Sequence, residues 1–453
     1  MSLMVSISGI RGVVGESLTP ETIVKYSAAF AEYCNRGTII IGRDGRITGA
    51  NVASIVISTL AQMGCNVIDL GICPTPTVAL AVERKHAAGG IAITASHNPM
   101  IWNGLKFLAS SGMFLNGDEN KKFWAIADGG NFRYKPWNEQ GAITNDSAFL
   151  DEHIRAILSL RYINVQQIKK RKFKIVLDAV NAAGGIIAPK LLREFGCDVI
   201  EMACDVSGIF SHTPEPIPEN LTTLAQRVVA EKADLGIAVD PDVDRLVLIN
   251  EKGEPFVEEY TIVSAVQFVL NAEKKLGKSS HTVAVNLSTT RAVEDVAKQF
   301  GATVYRTPVG EINVATKMKQ LGSVIGGEGS GGVILPEVHN GRDAIVGIGL
   351  FLQLLAQFGG TASALKATMP QYEIVKSKIE LGALQPDAIL TSLQLKYEKT
   401  ARTNSDDGLK IDFPESWVHL RKSNTEPIIR IIAEAKTRNE AAQLVEQFQK
   451  EIL

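Results

Sequence analysis

The sequence predicts an α/β protein with three similar α/β domains, whose sheets are mixed and mainly parallel, and a C-terminal α+β cap domain, arranged around a central cleft. A strand–helix–strand pattern recurs three times, each copy ends in a polar loop, and the pattern is lost beyond residue 367. The chain has 453 residues, 45% of them apolar, which suffices for several domains with ordinary cores. The predicted domains cover residues 1–150, 151–253, 254–367 and 368–453.

The first copy begins with the segment 38–41, which is short and rich in β-branched residues, as expected for a buried strand. The elements predicted after it follow the order of a βαβ unit in a parallel sheet. They are a helix near 49–63, a strand at 67–70, a helix from about Thr77 and a strand at 91–94. This copy ends in the polar loop 95–99.

The second and third copies repeat this order with different side chains. The second has predicted strands at 174–178, 198–201 and 236–239, a helix at 185–195 and a terminal loop at 240–245. The third has predicted strands at 282–286, 304–306 and 324–325, a helix at 291–300 and a terminal loop at 327–332. Ligands in open α/β sheets bind beyond the carboxyl ends of the strands, so we expect the three loops to line one cleft if the units pack in an arc.

The C-terminal part consists of short apolar segments separated by turns, which predicts a small antiparallel sheet. Asp407-Gly408 is a typical turn between two such strands. The segment 439–453 has the apolar periodicity of an amphipathic helix. The predicted strands are 374–380, 409–413, 417–420 and 427–433.

Charge and cysteine content limit the partners and the location of the protein. Forty-seven basic and 49 acidic side chains give a formal charge of −2, so no overall field attracts nucleic acid or an anionic membrane. The longest apolar run, 344–358, is shorter than the roughly 20 residues of a membrane span. Five cysteines without a CxxC pair predict buried thiols and a cytoplasmic protein.

Three alternating carboxylates follow the last strand of the second copy. Asp240, Asp242 and Asp244 point the same way if the segment is extended, and three hard oxygen donors suit Mg²⁺. An EF-hand is excluded because its sixth position is Arg245 rather than glycine. A solvated acidic turn is the other alternative, but a cation beside three carboxylates favours a phosphate that bridges a metal and a guanidinium group.

Ser96 follows the last strand of the first copy, where a hydroxyl is suited to be a nucleophile or a phosphate carrier. The alternative is a helix N-cap or a turn serine. A GxSxG nucleophile elbow is absent. If the segment is extended, we expect His97 to point away from Ser96 and to hydrogen-bond within its loop rather than act as a general base. Lys106 supplies a cation ten residues downstream and taken alone would be an ordinary surface lysine.

Two further loops carry groups that suit a sugar phosphate. Glu328 and Ser330, in a glycine-flanked loop, can bind vicinal hydroxyls, although a mobile turn with a solvated glutamate is equally compatible. The cap contains guanidinium groups, hydroxyls and turn amides that suit a phosphate, within ten residues: Arg421, Ser423, Asn424, Thr425 and Arg430.

Taken together, these loops resemble those of the α-D-phosphohexomutase family and cover most of the chain. An opening Ser8-Gly9-Ile10-Arg11-Gly12 and the turn Gly42-Arg43-Asp44 also fit that family. The matching motifs, in the family's order, are Thr94-Ala95-Ser96-His97-Asn98-Pro99, the Asp-x-Asp-x-Asp-Arg loop from Asp240, Gly327-Glu328-Gly329-Ser330-Gly331, and Arg421-x-Ser423-Asn424-Thr425-Glu426-Pro427.

The resemblance implies that Ser96 carries a phosphoryl group and that Mg²⁺ is held by this phosphate with Asp240, Asp242 and Asp244. It also implies that Arg11 and Lys106 are cations beside the phosphoserine, with Lys106 a candidate general acid/base. His97 and Arg245 complete the catalytic set.

The reaction implied is an isomerisation between hexose or hexosamine 6-phosphate and 1-phosphate. Phosphoserine would phosphorylate the free hydroxyl, and the resulting 1,6-bisphosphate, which is also the primer, would turn over and return its other phosphate. The second phosphate would sit in the cap loop while Glu328 and Ser330 hold the sugar. The expected partners are small sugar phosphates, with no nucleic acid or membrane, and the chain is expected to be a monomer or homodimer.

The sequence departs from the family at two positions that bear on the substrate. Bacterial phosphoglucosamine mutases usually have a histidine at the position of Gly332 and a glycine at that of Asn424, which here resembles the phosphomannomutase/phosphoglucomutase form. The segment 426–430 resembles the glucosamine branch. We favour glucosamine phosphate, with phosphomannomutase/phosphoglucomutase as the alternative and a metal-dependent sugar phosphatase or a catalytically silent sensor as remote ones.

Overall fold

The computed structural model describes residues 2–278, 281–382, 385–422 and 428–453. It contains four sheets, one for each predicted unit, so the three α/β units and the C-terminal α+β unit are present as expected. The exact limits of the four predicted domains stay a prediction. Among the described residues, no helix combines the length and the apolar character required to cross a bilayer.

The first unit has a seven-stranded mixed sheet. Its elements are β1 (Met4–Ser6), β2 (Gly9–Val13), α1 (Pro20–Tyr33), β3 (Ile39–Arg43), α2 (Gly49–Gln62), β4 (Val67–Ile72), α3 (Thr75–Arg84), β5 (Gly89–Ile93), β6 (Trp102–Ala109), α4 (Gly117–Gly129) and β7 (Ile143–Asn145). The order is β1-β2-β6-β5-β3-β4-β7, parallel from β5 to β7 and antiparallel from β1 to β5. The antiparallel edge brings β2 and β6 beside the end of β5, where Ser96 follows.

The second unit has a four-stranded sheet in the order β11-β10-β8-β9, in which only β11 is antiparallel. The elements are α5 (Phe149–Leu158), α6 (Val165–Arg171), β8 (Lys174–Asp178), α7 (Gly184–Glu194), β9 (Asp198–Met202), a short 3₁₀ turn (Pro218–Asn220), α8 (Thr222–Glu231), β10 (Leu235–Val239) and β11 (Leu246–Asn250). The aspartate loop connects β10 to β11.

The third unit has a four-stranded sheet in the order β13-β12-β14-β15, in which only β15 is antiparallel. The elements are α9 (Glu259–Lys275), β12 (Thr282–Asn286), α10 (Ala292–Gln299), β13 (Thr303–Thr307), α11 (Glu311–Leu321), β14 (Ile325–Glu328), β15 (Gly332–Ile334), α12 (Ala344–Phe358) and α13 (Ala362–Ala367). The predicted terminal loop 327–332 is shorter than expected, because β14 continues through Glu328 and β15 begins at Gly332.

The C-terminal unit is a five-stranded antiparallel sheet in the order β16-β20-β19-β18-β17. The elements are β16 (Glu373–Glu380), α14 (Pro386–Tyr397), β17 (Arg402–Asn404), β18 (Leu409–Asp412), β19 (Trp417–Lys422), β20 (Ile428–Ala435) and α15 (Arg438–Ile452). The predicted strands are present, apart from residue 427, which lies outside the described residues. Helix α14 and strand β17 were not predicted from the sequence.

The first three units are connected by one apolar core, and the C-terminal unit has a separate one. One continuous cluster of buried apolar side chains runs from the α3 side of the first sheet through the second unit into the third. The described part of the C-terminal unit has a core of its own, built around Leu409, Ile431 and Phe448. The first three units are therefore joined by apolar packing, whereas the fourth forms a separate packing unit.

Polar contacts attach the C-terminal unit to the third. Ser288 Oγ lies 2.8 Å from His419 Nδ1, and the Arg291 amide donates to Glu434 Oε1 at 3.0 Å. The predicted burial of the cysteines holds for Cys34, Cys65 and Cys73, while Cys197 and Cys204 are half-buried.

Candidate active site

One cavity of about 390 Å³ is lined by residues of all four units, as the predicted central cleft requires. The aspartates of the second unit do not line it directly but lie beneath it, nearly inaccessible to solvent. Ser423, Asn424 and Thr425 lie outside the described residues. The predicted site residues that line the cavity are Arg11, Ser96, Lys106, Arg245, Glu328, Ser330, Arg421 and Arg430.

Ser96 lies in a strained turn and not in the extended segment assumed above. Its φ of 51° is left-handed, and its amide donates to Thr94 Oγ1 at 2.8 Å. The turn places Ser96 Oγ 3.3 Å from Asp240 Oδ2 and 3.3 Å from His97 Nδ1. The expectation that His97 points away was therefore wrong, because it assumed an extended backbone. No helix begins here, so Ser96 is not an N-cap.

A single buried arginine holds this turn in place. Arg46 is only 1% exposed, and its Nε donates to Asp44 Oδ2 at 3.0 Å. Asp44 Oδ2 also accepts from Thr94 Oγ1 at 2.7 Å, which links the arginine to the hydroxyl that fixes the Ser96 amide. The remaining donors of the guanidinium group reach four backbone carbonyls, at 2.6 to 3.0 Å, of Ser96, Asn98, Pro99 and Trp102.

We expect Arg46→Lys to lower kcat about 100-fold, because one ammonium cannot hold four carbonyls and the position of Ser96 would be lost. The free energy of unfolding is expected to fall by about 3 kcal/mol, since the buried carboxylate of Asp44 loses the guanidinium group that donates to it. Steady-state kinetics and urea unfolding measure both effects. Arg84→Lys, at an exposed ion pair, is the control. Unchanged kinetics in Arg46→Lys would show that the turn holds its shape without the guanidinium group.

The three aspartates converge because of a turn, and not because of strand alternation. Residues 240–245 form no strand, and Val243 has a left-handed φ of 61°. Asp240 Oδ1 accepts from the amides of Asp244 and Arg245, both at 3.1 Å, which closes the turn. One ligand oxygen from each carboxylate then lies within 4.8 Å of the others.

The hydrogen bonds of this turn leave a ready-made site for a cation. Asp242 Oδ2 accepts from Thr75 Oγ1 at 2.7 Å and from Lys106 Nζ at 2.6 Å. Asp244 Oδ2 accepts from Lys106 Nζ at 3.2 Å and from Arg342 Nη2 at 2.7 Å. Within the described residues, Asp242 Oδ1 and Asp244 Oδ1 are buried and have no hydrogen-bond partner. Buried carboxylate oxygens without donors fit a hard divalent cation.

Three ionisable groups around Ser96 have shifted pKa values. Burial and the adjacent charges of Asp244 and Asp242 raise the pKa of Asp240. Burial opposes the charge of Lys106, but Asp242 and Asp244 outweigh it and raise the pKa of the ammonium. Burial, with the charges of Arg245 and Arg11, lowers the pKa of His97 to about 2. Lys106 is therefore a buried ammonium, and not a surface lysine, while His97 stays neutral.

A second group of possible metal ligands is a structural network. His153, His339 and Asp343 are buried, and Asp343 Oδ2 lies 2.8 Å and 3.0 Å from the two Nε2 atoms. His339 Nδ1 accepts from the Gly341 amide, so its proton is on Nε2 and faces the carboxylate. Asp343 Oδ1 caps α12 through its first amides. Hydrogen bonds within the chain account for this cluster.

Glu328 ends strand β14 and is held rigidly. It is 4% exposed, and its Oε1 accepts from Asn286 Nδ2 at 2.8 Å and from the Gly310 amide at 2.9 Å. Its Oε2 accepts from Arg342 Nη1 at 2.7 Å. The alternative of a mobile turn with a solvated glutamate was therefore wrong. Ser330 is half-buried and lines the cavity beside Glu328.

The glycines of this loop make room for side chains from other segments. A Cβ atom at Gly329 would lie 2.0 Å from Glu259 Oε2, and one at Gly332 would lie 2.2 Å from Arg342 Cδ. An acidic and a basic group therefore occupy the space beside the loop. Neither Glu259 nor Arg342 belongs to a local motif, so neither was predictable from the sequence.

We expect Glu259→Gln to remove a pH dependence of stability. Burial raises the pKa of Glu259 from its usual 4.5 to about 8, so the folded chain keeps a proton that the unfolded chain has lost. Its contribution to the free energy of unfolding therefore falls as the pH rises through this interval. Relative to the wild type, the variant should gain roughly 1 kcal/mol per unit between about pH 5.5 and 7.5.

Urea unfolding of both proteins across this pH range measures the effect. Glu415→Gln, at an exposed glutamate, controls for the loss of one carboxylate and should follow the wild type. Parallel curves for Glu259→Gln and the wild type would contradict the prediction.

Two arginines of the C-terminal unit face the cavity from neighbouring strands. Arg421 and Arg430 are directly opposite each other in the β19–β20 register. Like charges in this position repel each other, and a bound anion relieves the repulsion. Arg421 Nε also lies 2.8 Å from Asp407 Oδ2, which accepts from the Val309 amide of the third unit.

Four family models match the chain in sequence order. Described as the α/β/α domains I, II and III and the C-terminal domain of phosphoglucomutase/phosphomannomutase, they cover residues 4–133, 151–253, 258–372 and 380–451. The structure has the fold of a phosphoglucomutase/phosphomannomutase family protein from Burkholderia thailandensis. That likeness has a TM-score of 0.85 and 23% identity, over 99% of this chain and 97% of the other.

Curated relatives match over nearly their whole length. A "Probable phosphoglucosamine mutase" of Methanopyrus kandleri and a "Phosphoglucomutase/phosphomannomutase" of Thermococcus kodakarensis are each 36% identical, over 97% of this chain and 96% of theirs. A "Phosphoglucosamine/phosphogalactosamine mutase" of Sulfurisphaera tokodaii is 30% identical over 99% of both chains.

The fold, the cleft and these relatives define an enzyme of the phosphohexomutase class, which is a class of isomerases. The chain belongs to the phosphoglucomutase/phosphomannomutase family.

Proposed function

We propose that this enzyme interconverts glucosamine 6-phosphate and glucosamine 1-phosphate through a phosphorylated Ser96 and a bisphosphorylated sugar. The observation that carries the phosphoryl-transfer chemistry is the pair of buried, unpartnered oxygens of Asp242 and Asp244 next to Ser96 Oγ and Asp240. Relatives named phosphoglucosamine mutase support the sugar.

Mg²⁺ is the cation that we propose for Asp240, Asp242 and Asp244, together with a phosphate on Ser96. When bound, it would neutralise charge on the transferred phosphoryl group. Thr75, Lys106 and Arg342 orient Asp242 and Asp244 by holding their Oδ2 atoms. Arg245 Nε lies 3.7 Å from Asp244 Oδ1 and makes no hydrogen bond in the described structure, so it is suited to a phosphate oxygen beside this carboxylate.

Lys106 and Arg11 would act on the charge and the protons of the reaction. The raised pKa of Lys106 keeps it protonated, which suits a general acid and a charge partner better than a neutral base. Arg11 Nη1 donates to Asn98 Oδ1 at 3.0 Å, so this cation is fixed beside the serine turn. Neutral His97 would be a hydrogen-bonding neighbour of Ser96.

Two phosphate positions would serve the two orientations of the sugar. Phospho-Ser96 would give its phosphoryl group to the free hydroxyl of the bound monophosphate. The proton of that hydroxyl would pass to a neighbouring base or to solvent. The bisphosphate would then turn over and return its other phosphoryl group to Ser96 Oγ. Arg421 and Arg430 would bind the phosphate that is not reacting, with Ser423, Asn424 and Thr425 as further proposed ligands, while Glu328 and Ser330 hold the sugar hydroxyls.

A substrate panel tests the proposal. Glucosamine, N-acetylglucosamine, glucose and mannose 6-phosphates are incubated with Mg²⁺ and the matching bisphosphate primer, and kcat/KM is compared. We expect the highest value for glucosamine 6-phosphate. A higher value for glucose or mannose would favour the second candidate, a phosphoglucomutase/phosphomannomutase, which the equally similar Thermococcus relative supports. Net release of inorganic phosphate would indicate a phosphatase.

A further inference from the structure

Arg342 connects two loops that lie far apart in the sequence. Its Nη2 donates to Asp244 Oδ2 of the second unit, and its Nη1 donates to Glu328 Oε2 of the third, both at 2.7 Å. One planar guanidinium group therefore binds a proposed metal ligand and a proposed sugar ligand. The fork geometry of arginine suits two carboxylates at once, which a lysine cannot bridge in the same way.

The position of Arg342 is fixed from its own backbone. Its amide and its Nε donate to the two oxygens of Glu311, both at 3.0 Å. The next residue, Asp343, is the N-cap of α12 and donates its amide to the Val333 carbonyl of β15. The residue is only 9% exposed, and its side chain lines the cavity. Arg342 is thus a rigid bridge rather than a flexible surface cation.

Gly332 is the residue that allows this bridge. The Arg342 side chain crosses β15 at Gly332, where an added Cβ would lie 2.2 Å from Cδ and 2.9 Å from Cγ. Gly332 has no left-handed φ, so its backbone is compatible with any side chain. The glycine is therefore required by the close approach of Arg342 and not by backbone conformation.

We propose that Arg342 is a positioning residue that fixes Asp244 and Glu328 relative to each other across the cleft. Residue 332 is a glycine because a larger side chain would occupy the space of the Arg342 side chain. The inference rests on the mutase activity proposed above. It assigns a function to Arg342, which lies outside the loops that carry the phosphoryl transfer and the sugar contacts, and to Gly332, where the sugar-binding loop enters β15.

A double-mutant cycle of Gly332→Ala and Arg342→Ala tests the proposal. Gly332→Ala should displace the guanidinium group and lower kcat/KM about tenfold, and Arg342→Ala should lower it about 100-fold. In the Arg342→Ala background, Gly332→Ala should change kcat/KM less than about twofold, because the side chain it displaces is gone. An equal loss in both backgrounds, or no loss in Gly332→Ala alone, would overturn the proposal.

Equilibrium binding gives a second readout that does not depend on turnover. Isothermal titration calorimetry with glucosamine 6-phosphate and a chelator measures the sugar site without metal. We expect Gly332→Ala to weaken binding about tenfold, and to have no further effect in the Arg342→Ala background. If the wild-type protein proves inactive on every sugar, only the proposed function is refuted. The binding measurement then still tests the positioning function of Arg342.

Two control variants distinguish the positioning function of Arg342 from an effect of its charge alone and from a general effect of adding a methyl group to a buried glycine. Arg342→Lys keeps the charge but loses the fork, so kcat/KM should stay within about threefold of Arg342→Ala. Full activity in Arg342→Lys would show that charge alone is needed, and would overturn the proposal. Gly349→Ala, in α12 of the third unit, places a Cβ 2.9 Å from Ile157 of α5, away from the cleft. It should lower the melting temperature without changing kcat/KM.

Discussion

Ser96→Ala is expected to abolish the mutase reaction, with kcat lowered at least about 10⁴-fold. The hydroxyl is the group placed against Asp240, at 3.3 Å, and alanine leaves nothing to carry the phosphoryl group between the two sugar positions. Isomer formation from hexosamine 6-phosphate measures the loss, and intact mass measures the phosphoryl group on the protein.

Ser110→Ala is the matched control, because Ser110 is exposed in the turn after β6 and has no contact with the cleft. It should retain the wild-type rate and the phosphorylated mass. A Ser96→Ala protein that still forms isomer would refute the phosphoserine assignment. A wild-type protein phosphorylated at another residue would refute it as well.

Asp242→Asn is expected to lower kcat about 10³-fold, since several kcal/mol of transition-state stabilisation by the cation would be lost. The change removes one of three charges from the proposed metal site. It also gives Lys106 an amide in place of its nearest carboxylate, at 2.6 Å. The half-saturating concentration of Mg²⁺ should rise, so kinetics are measured across a Mg²⁺ titration.

Asp128→Asn is the control for this variant, because Asp128 is an exposed aspartate paired with Lys25. Its Mg²⁺ dependence should match that of the wild type. If Asp242→Asn keeps the wild-type rate and Mg²⁺ dependence, the three aspartates do not hold the metal.

The strands and helices of the three repeats were predictable because buried parallel strands are short, apolar and separated by helical segments. The antiparallel edge formed by β1, β2 and β6 was not, because it depends on the pairing of β2 with β6, which lie far apart in the sequence. Helix α14 was missed for a different reason. Among its described residues only Leu393 and Tyr397 are buried, so the segment has no clear apolar stripe.

For the site, sequence motifs predicted which loops meet but not how they are held. The left-handed φ of Ser96 depends on Arg46, which is 50 residues away along the chain. The spacing Asp44-x-Arg46 in the first unit was the only local signal for it. Arg342 had no such signal, because its three carboxylate partners come from three separate segments.

The continuous apolar core of the first three units restricts which amino-acid substitutions this chain can accept. Each repeat packs against its neighbours, so the repetition along the sequence does not make the units interchangeable modules. A substitution accepted in one of them must suit the packing of the others. The C-terminal unit, with its separate core, is free of that constraint. Recombination between related chains should therefore succeed most readily at the boundary before β16.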